Sequence, residues 1–120
     1  MAISKNFIFR EDLQLTSTLG HALGHPARVV VMRKLVQGGA SCYSALISGI
    51  PLTRATIHQH VHILKKLGFI QPVLLASNQA GYQLNREFYI RCIQASRREF
   101  RQIAQVIPLE EERDAGTGSA

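Results

Sequence analysis

At 120 residues with 46% apolar side chains, the chain has material for one domain around one modest core. There is no apolar run long enough for a membrane-spanning helix and no secretion-signal pattern at the start. Two cysteines, Cys42 and Cys92, are too few for a disulfide scaffold, so a reducing, cytoplasmic setting is expected. The formal charge of +6 hides a more basic body: from Pro108 onward PLEEERDAGTGSA carries four acids against Arg113, leaving residues 1–109 at a net +9. That balance points to a polyanionic partner, nucleic acid before anionic membrane, although solubility alone would also be served by it.

Helical periodicity dominates the chain. A first helix is predicted over about 11–24, with Leu15, Leu19, Ala22 and Leu23 on one side. It must end before Pro26, because a proline pushes the preceding residue out of the helical region. Pro26 then suits the first position of a second helix over 26–37, closed by Gly38 and Gly39. Ser41 is the expected cap of a short third helix over 41–48 that stops at Gly49. After the tight connection Ile50-Pro51-Leu52, Thr53 caps a fourth helix over 53–67, ended by Gly68. Two helices joined by so short a turn form a helix-turn-helix unit.

FIQPVLLA and GYQLN follow as strand-like pieces around SNQA, a hairpin or wing over about 69–85. Pro72 cannot donate to a ladder and marks an edge or a bulge. A long helix over 86–107 closes the domain, and residues 108–120, acidic and then Gly/Ser-rich, are expected to be disordered. The architecture is mainly α with a small β-hairpin: a winged helix-turn-helix.

The fourth helix carries three histidines in five positions, which suggests a metal site. At about 100° per residue they diverge. His60 falls in the apolar arc with Ile57, Val61 and Leu64, where it packs against the core with a ring nitrogen bonded to backbone or phosphate. His58 and His62 stay together on the other face with Arg54, Gln59, Lys65 and Lys66. Two imidazoles are an incomplete zinc site, and the neighbouring cations repel a metal. A solvated face is the plain alternative. A face of Arg, Gln, His and Lys also has the donors that base edges and phosphates require.

The stretches ALGHPARVVVMRKL at 22–35, TRATIHQHVHILKKLGFI at 53–70 and GYQLN at 81–85, in this order and spacing, resemble the ArsR/SmtB family of bacterial transcriptional regulators over about residues 13–107. The Pro26/Arg28 helix start, the helix from Thr56 to Gly68 and the pair Tyr82 and Leu84 carry the resemblance. It implies a homodimeric repressor of operator DNA, with the 53–67 helix in the major groove, 69–85 as the wing, and residues 1–107 as a DNA-binding and dimerisation domain. Arg54, His58 and Gln59 are then the expected base-edge contacts, with Thr53, Thr56, His62, Lys65 and Lys66 nearer the backbone. Arg28 is expected on a phosphate, and Asn78 and Gln79 at the wing tip on a phosphate or the minor groove. The family's dimers pair through the first and last helices, which selects Leu15, Leu19, Phe88, Cys92, Phe100 and Ile103 as the expected interface.

The departures concern the effector. Many relatives bind metal through paired cysteines before the turn. Here Cys42 matches the first, but Ser44 stands at the second. The last helix has Glu87 and Glu99 but no histidine for a second family metal site. No cofactor and no classical metal effector are expected, and the residues do not name the effector. Cys42 and Cys92 are the remaining pair for a thiol switch, against the reading of Cys92 as an inert packing residue. His21 and His25 are four apart, but Pro26 makes His25 a boundary residue and a weak substitute for the family's usual cap. The arginines of the last helix, Arg91, Arg97, Arg98 and Arg101, form either a solvated basic face or an anionic contact area. No catalytic constellation or phosphate loop is present. The rival to a DNA reader is a winged-helix module that docks protein, which would not need the basic 54–66 face.

Overall fold

The structure, a computed structural model, describes residues 9–105. Its elements in chain order are α1 (Glu11–Ala22), α2 (Pro26–Gly38), β1 (Ser41–Cys42), α3 (Tyr43–Ile47), α4 (Arg54–Leu67), β2 (Ile70–Leu74), β3 (Ala80–Leu84) and α5 (Arg86–Ala104). The expected residues 106 and 107 of the last helix, and the tail at 108–120, lie outside the described residues.

Local chemistry accounts for most boundaries. α1 opens with Glu11 and Asp12, acids that its exposed first-turn N–H groups favour. It ends two residues earlier than expected, with the Leu23 N–H already closing onto Leu19 O. Pro26 begins α2, and Gly39, at φ +75°, ends it in a conformation that favours glycine. Asn85 caps α5 through its side-chain oxygen, which accepts from Phe88 N, while its amide nitrogen donates to Gly68 O.

The third helix departs from expectation. Ser41 does not cap it; Ser41 and Cys42 pair instead with Tyr82 and Gly81, making a three-stranded antiparallel sheet in the order β1-β3-β2. The helix therefore starts only at Tyr43, and the Ser41 hydroxyl turns back to Gly39 O. Gly81 permits this strand: a Cβ there would sit 2.5 Å from Ser41 O. Lys34 reaches over from α2 and donates to Ala45, Leu46 and Ser48 carbonyls at the end of α3. β2 is an edge strand, so the missing N–H of Pro72 costs no central ladder bond.

The core lies where α2, α4 and the sheet meet α1 and α5. Val31, Met32, Leu35, Leu46, Ile57, Val61, Leu64, Phe69 and Ile70 are buried there, with Leu19 and Cys92 closing the helical side. No helix of the described residues is long and apolar enough to cross a membrane.

Candidate nucleic-acid interface

α4 is held from both ends and from beneath. Thr53 Oγ1 accepts from Thr56 N at 3.2 Å and donates to Thr56 Oγ1 at 2.9 Å. Gly68, at φ +93°, supplies the left-handed stop. Ile57, Val61 and Leu64 are buried, and this leaves Arg54, His58, Gln59, His62, Lys65 and Lys66 exposed on the opposite face with Thr53. All six expected contacts from the body of this helix share one surface. Thr56 is half-buried and occupied with the cap, although its hydroxyl retains a proton to donate.

Lys65 and Lys66 occupy the last turn, where a helix welcomes cations. Arg54 has no such local reason, because the first turn of a helix disfavours positive charge. The four carboxylates of the described residues, Glu11, Asp12, Glu87 and Glu99, are on α1 and α5, so none shares the α4 face.

The wing turns through Leu75–Gln79. Leu75 O accepts from Asn78 N, Leu75 N donates to Gln79 O, and Asn78 adopts φ +60°, a conformation asparagine tolerates better than most residues. Asn78 and Gln79 are exposed at the tip, as a nucleic-acid contact requires. Between wing and α4 lies an open cleft of about 570 Å³ lined by Tyr43, His58, Pro72, Val73, Leu74 and Tyr82. The Tyr43 and His58 rings meet edge-on across it at 6.4 Å.

Arg28 is placed differently from the expectation. It is only 8% exposed, and its guanidinium is committed inward: Nε to Ala22 O at 3.1 Å, one terminal nitrogen to His21 O at 2.9 Å, the other to His60 Nδ1 at 3.0 Å. A side chain so enclosed is a tie between α1, α2 and α4, not a phosphate ligand. His60 does pack inward, and its partner is this arginine. The ring of His25 lies 4.1 Å from that of His60, and His25 caps α2 by accepting from Ala27 N at 3.0 Å. The signal for this network was present in the sequence: a histidine in an apolar arc needs a polar partner, and Arg28 begins the neighbouring helix.

The expected interface residues divide. Leu19 and Cys92 belong to the chain's own core and offer a partner nothing; Phe88 is half-buried against Phe69, with ring centroids 4.9 Å apart. Leu15 is half-buried, and Phe100 and Ile103 stand 58% and 66% exposed. Part of the expected basic face of α5 is tied down. Arg91 pairs with Glu11, and Arg98 with Asp12, which fixes α5 along α1 and leaves Arg97 and Arg101 exposed.

The two cysteines are free and differ in environment. Cys92 is fully buried, and burial pushes its thiol up to about 11. Cys42 is partly exposed, and the Ser44 hydroxyl beside it lowers its pKa. Among the described residues no three His, Cys, Asp or Glu side chains converge as a metal site would require.

No family model matches the sequence. Over 61 residues, 51% of this chain and 68% of the relative, it is 28% identical to an uncharacterized HTH-type transcriptional regulator of Methanocaldococcus jannaschii. Among solved structures it is similar to an ArsR family transcriptional regulator, with a TM-score of 0.61 at 18% identity over 78% of this chain and 93% of that one. It is similar also to the transcriptional repressor BigR of Xylella fastidiosa, with a TM-score of 0.52 at 20% identity over 82% of this chain and 96% of that one. With its three-stranded sheet, short third helix and exposed fourth helix, the chain has the winged helix-turn-helix fold of the ArsR-family transcriptional regulators.

Proposed function

We propose that this chain is a sequence-specific regulator of transcription that binds double-stranded operator DNA as a homodimer and represses. The observation that carries the reading is the α4 surface. Arg54, His58, Gln59, His62, Lys65 and Lys66 are exposed together on a helix whose other face is buried, with no carboxylate among them. Lysines and arginines at the ends of such a face neutralise phosphates, while Gln59, Arg54 and His58 offer donors and acceptors at the height of base edges. In a two-fold dimer two such helices enter successive major grooves about 34–36 Å apart. The wing tip, with Asn78 and Gln79 but no cation, adds hydrogen bonds and little electrostatic attraction.

Repression is supported by the similar Xylella protein, a transcriptional repressor. A classical metal effector is not part of the proposal, because Ser44 stands where the second cysteine of the family's motif would be. Similarity to transcriptional regulators supports binding rather than catalysis.

The test is binding to the DNA upstream of the chain's own gene, against a scrambled duplex, across a salt series. Tight, sequence-dependent binding that weakens steeply with salt is expected. Salt-insensitive or absent binding would favour a protein-docking module. Repeating the assay with zinc, arsenite, oxidant and reductant locates the effector; release by zinc or arsenite would overturn the non-metal assignment.

A further inference from the structure

Guanidinium groups only donate hydrogen bonds. At 3.0 Å from Arg28, His60 Nδ1 must therefore be the acceptor, with the ring neutral and its proton on Nε2. The same reasoning holds for His25, whose Nδ1 accepts from the backbone N–H of Ala27 and so bears no proton. Geometry thus specifies two neutral imidazoles with their rings 4.1 Å apart beside a buried arginine.

We propose that His60 positions the recognition helix through Arg28, and that the Arg28–His60 pair, with the His25 ring against it, is a latch which closes only on a neutral His60, giving operator binding a proton dependence seated inside the fold. The functional half of this rests on the DNA-binding reading above. Arg28 joins three elements: its other donors hold His21 O and Ala22 O at the end of α1, and its chain belongs to α2. The His60 bond is its link to α4. Protonation at Nδ1 turns that acceptor into a donor facing a donor and sets an imidazolium against a guanidinium.

The groups facing His60 are His25, the cap of α2, and Arg28 from α2; α1 contributes the His21 and Ala22 carbonyls through Arg28, and β2 carries no titratable side chain. Three of the four carboxylates of the described residues are engaged elsewhere, Glu11 with Arg91, Asp12 with Arg98 and Glu99 with Arg10. Among the described residues none of the ion pairs includes His60. Consistently, burial first, then His25 and Arg28, hold the His60 pKa below its usual 6.5. A depressed histidine makes the closed latch fully stable above about pH 6.5. That stability falls as pH drops from there toward the folded value, because the opened state takes up the proton first.

The decisive comparison is wild type against His60→Gln, whose side-chain oxygen can accept from Arg28 but cannot take a proton. At pH 8 the two should bind operator within about twofold. Between pH 8 and pH 5 the wild type should lose about tenfold relative to the variant, because only the wild-type latch has an acceptor that can take up a proton. His58 and His62 are common to both proteins, so their contribution cancels in this ratio. Parallel pH profiles would overturn the proposal. Two measurements without DNA keep it separate from the DNA-binding reading. Nitrogen-15 NMR of the full chain at pH 7.5 should show His25 and His60 as Nε2–H tautomers, and an Nδ1–H form at His60 would overturn the latch even if His60→Gln failed to fold. The melting-temperature gap between the two proteins should shift in favour of the variant as pH falls, and a constant gap would count against it.

Discussion

Arg98 meets Asp12 through two donors, Nε at 2.8 Å from one carboxylate oxygen and a terminal nitrogen at 2.9 Å from the other, across 86 positions of sequence. This fork joins the start of α1 to the middle of α5, and Glu11 with Arg91 repeats the tie nearby. It explains why α1 begins with two acids in an otherwise basic domain.

The hydrogen bond from Arg98 is the main reason that the Asp12 pKa lies below its ordinary value of 3.8. A depressed carboxylate stabilises the fold above its unfolded value and loses that contribution as pH falls through the folded one. Asp12→Asn should therefore melt below the wild type at pH 7, and the gap should close as pH drops below about 4. Because the pair is exposed, the gap should also shrink in high salt. Thermal melts at several pH and salt values check both; a gap independent of pH would show that the carboxylate charge is not what matters.

Gly81→Ala tests the third strand. A Cβ at this position would lie 2.5 Å from Ser41 O and 3.0 Å from a methyl of Leu75, and backbone cannot yield as a flexible side chain can. The expected cost is about 1–3 kcal/mol in denaturant unfolding, the usual range for overpacking. A neutral substitution would mean that β1 separates from β3 without consequence.

Local rules carried the fold far. Pro26, Thr53 and Gly68 each act at a helix boundary through a side chain or backbone preference that needs no tertiary information. Helical phase alone separated His60 from His58 and His62. Ser41 and Cys42 were misread because two residues of strand leave no periodic signature; only β3, forty positions on, makes them a strand. Arg28 was misplaced for a related reason. Type and position marked it as a cation near a helix start, and its burial depends on carbonyls from α1 and a nitrogen from α4 that converge only in the fold. The expected interface residues of α5 likewise were not divided in the sequence into those the chain's own core covers, such as Cys92, and those left exposed, Phe100 and Ile103.

Thiol chemistry should separate the cysteines. Cys92 is 0% exposed with its thiol pushed up to about 11, so at pH 8 it is almost wholly protonated and shielded, and protonated thiols are poor nucleophiles. Cys42 is partly exposed with its pKa lowered, by the Ser44 hydroxyl first. Brief iodoacetamide treatment of the native protein followed by mass mapping should modify Cys42 and spare Cys92. A disulfide between them under mild oxidant would restore the thiol-switch reading.

Two substitutions on α4 distinguish positioning from reading. Lys65→Ala should weaken binding about equally on all sequences and reduce the slope of log affinity against log salt by about one. Gln59→Ala should instead lower discrimination between operator and random DNA by about 1–3 kcal/mol. Fluorescence anisotropy with both duplexes across salt gives both quantities. An unchanged salt slope removes Lys65 from the phosphate contacts, and an unchanged specificity ratio removes Gln59 from the base contacts.

The proposed dimer is testable because the expected interface residues separate by burial. Phe100 and Ile103, 58% and 66% exposed near the end of α5, do little for the chain's own core, whereas Leu19 is inside it. Large apolar side chains left in water favour covering by a partner. Phe9, just ahead of α1, and Leu13 on it are exposed as well, and Gly20 has open space around it where a second helix can approach closely. Phe100→Ser with Ile103→Ser should weaken self-association by at least on the order of tenfold, since a buried anchor typically contributes more than about 1 kcal/mol, and should leave the far-ultraviolet circular dichroism unchanged. Leu19→Ser should instead lower the melting temperature sharply. Sedimentation velocity over a concentration series checks the first outcome. A dimer indifferent to both exposed residues would move the interface away from the end of α5, and with it the spacing of the two recognition helices.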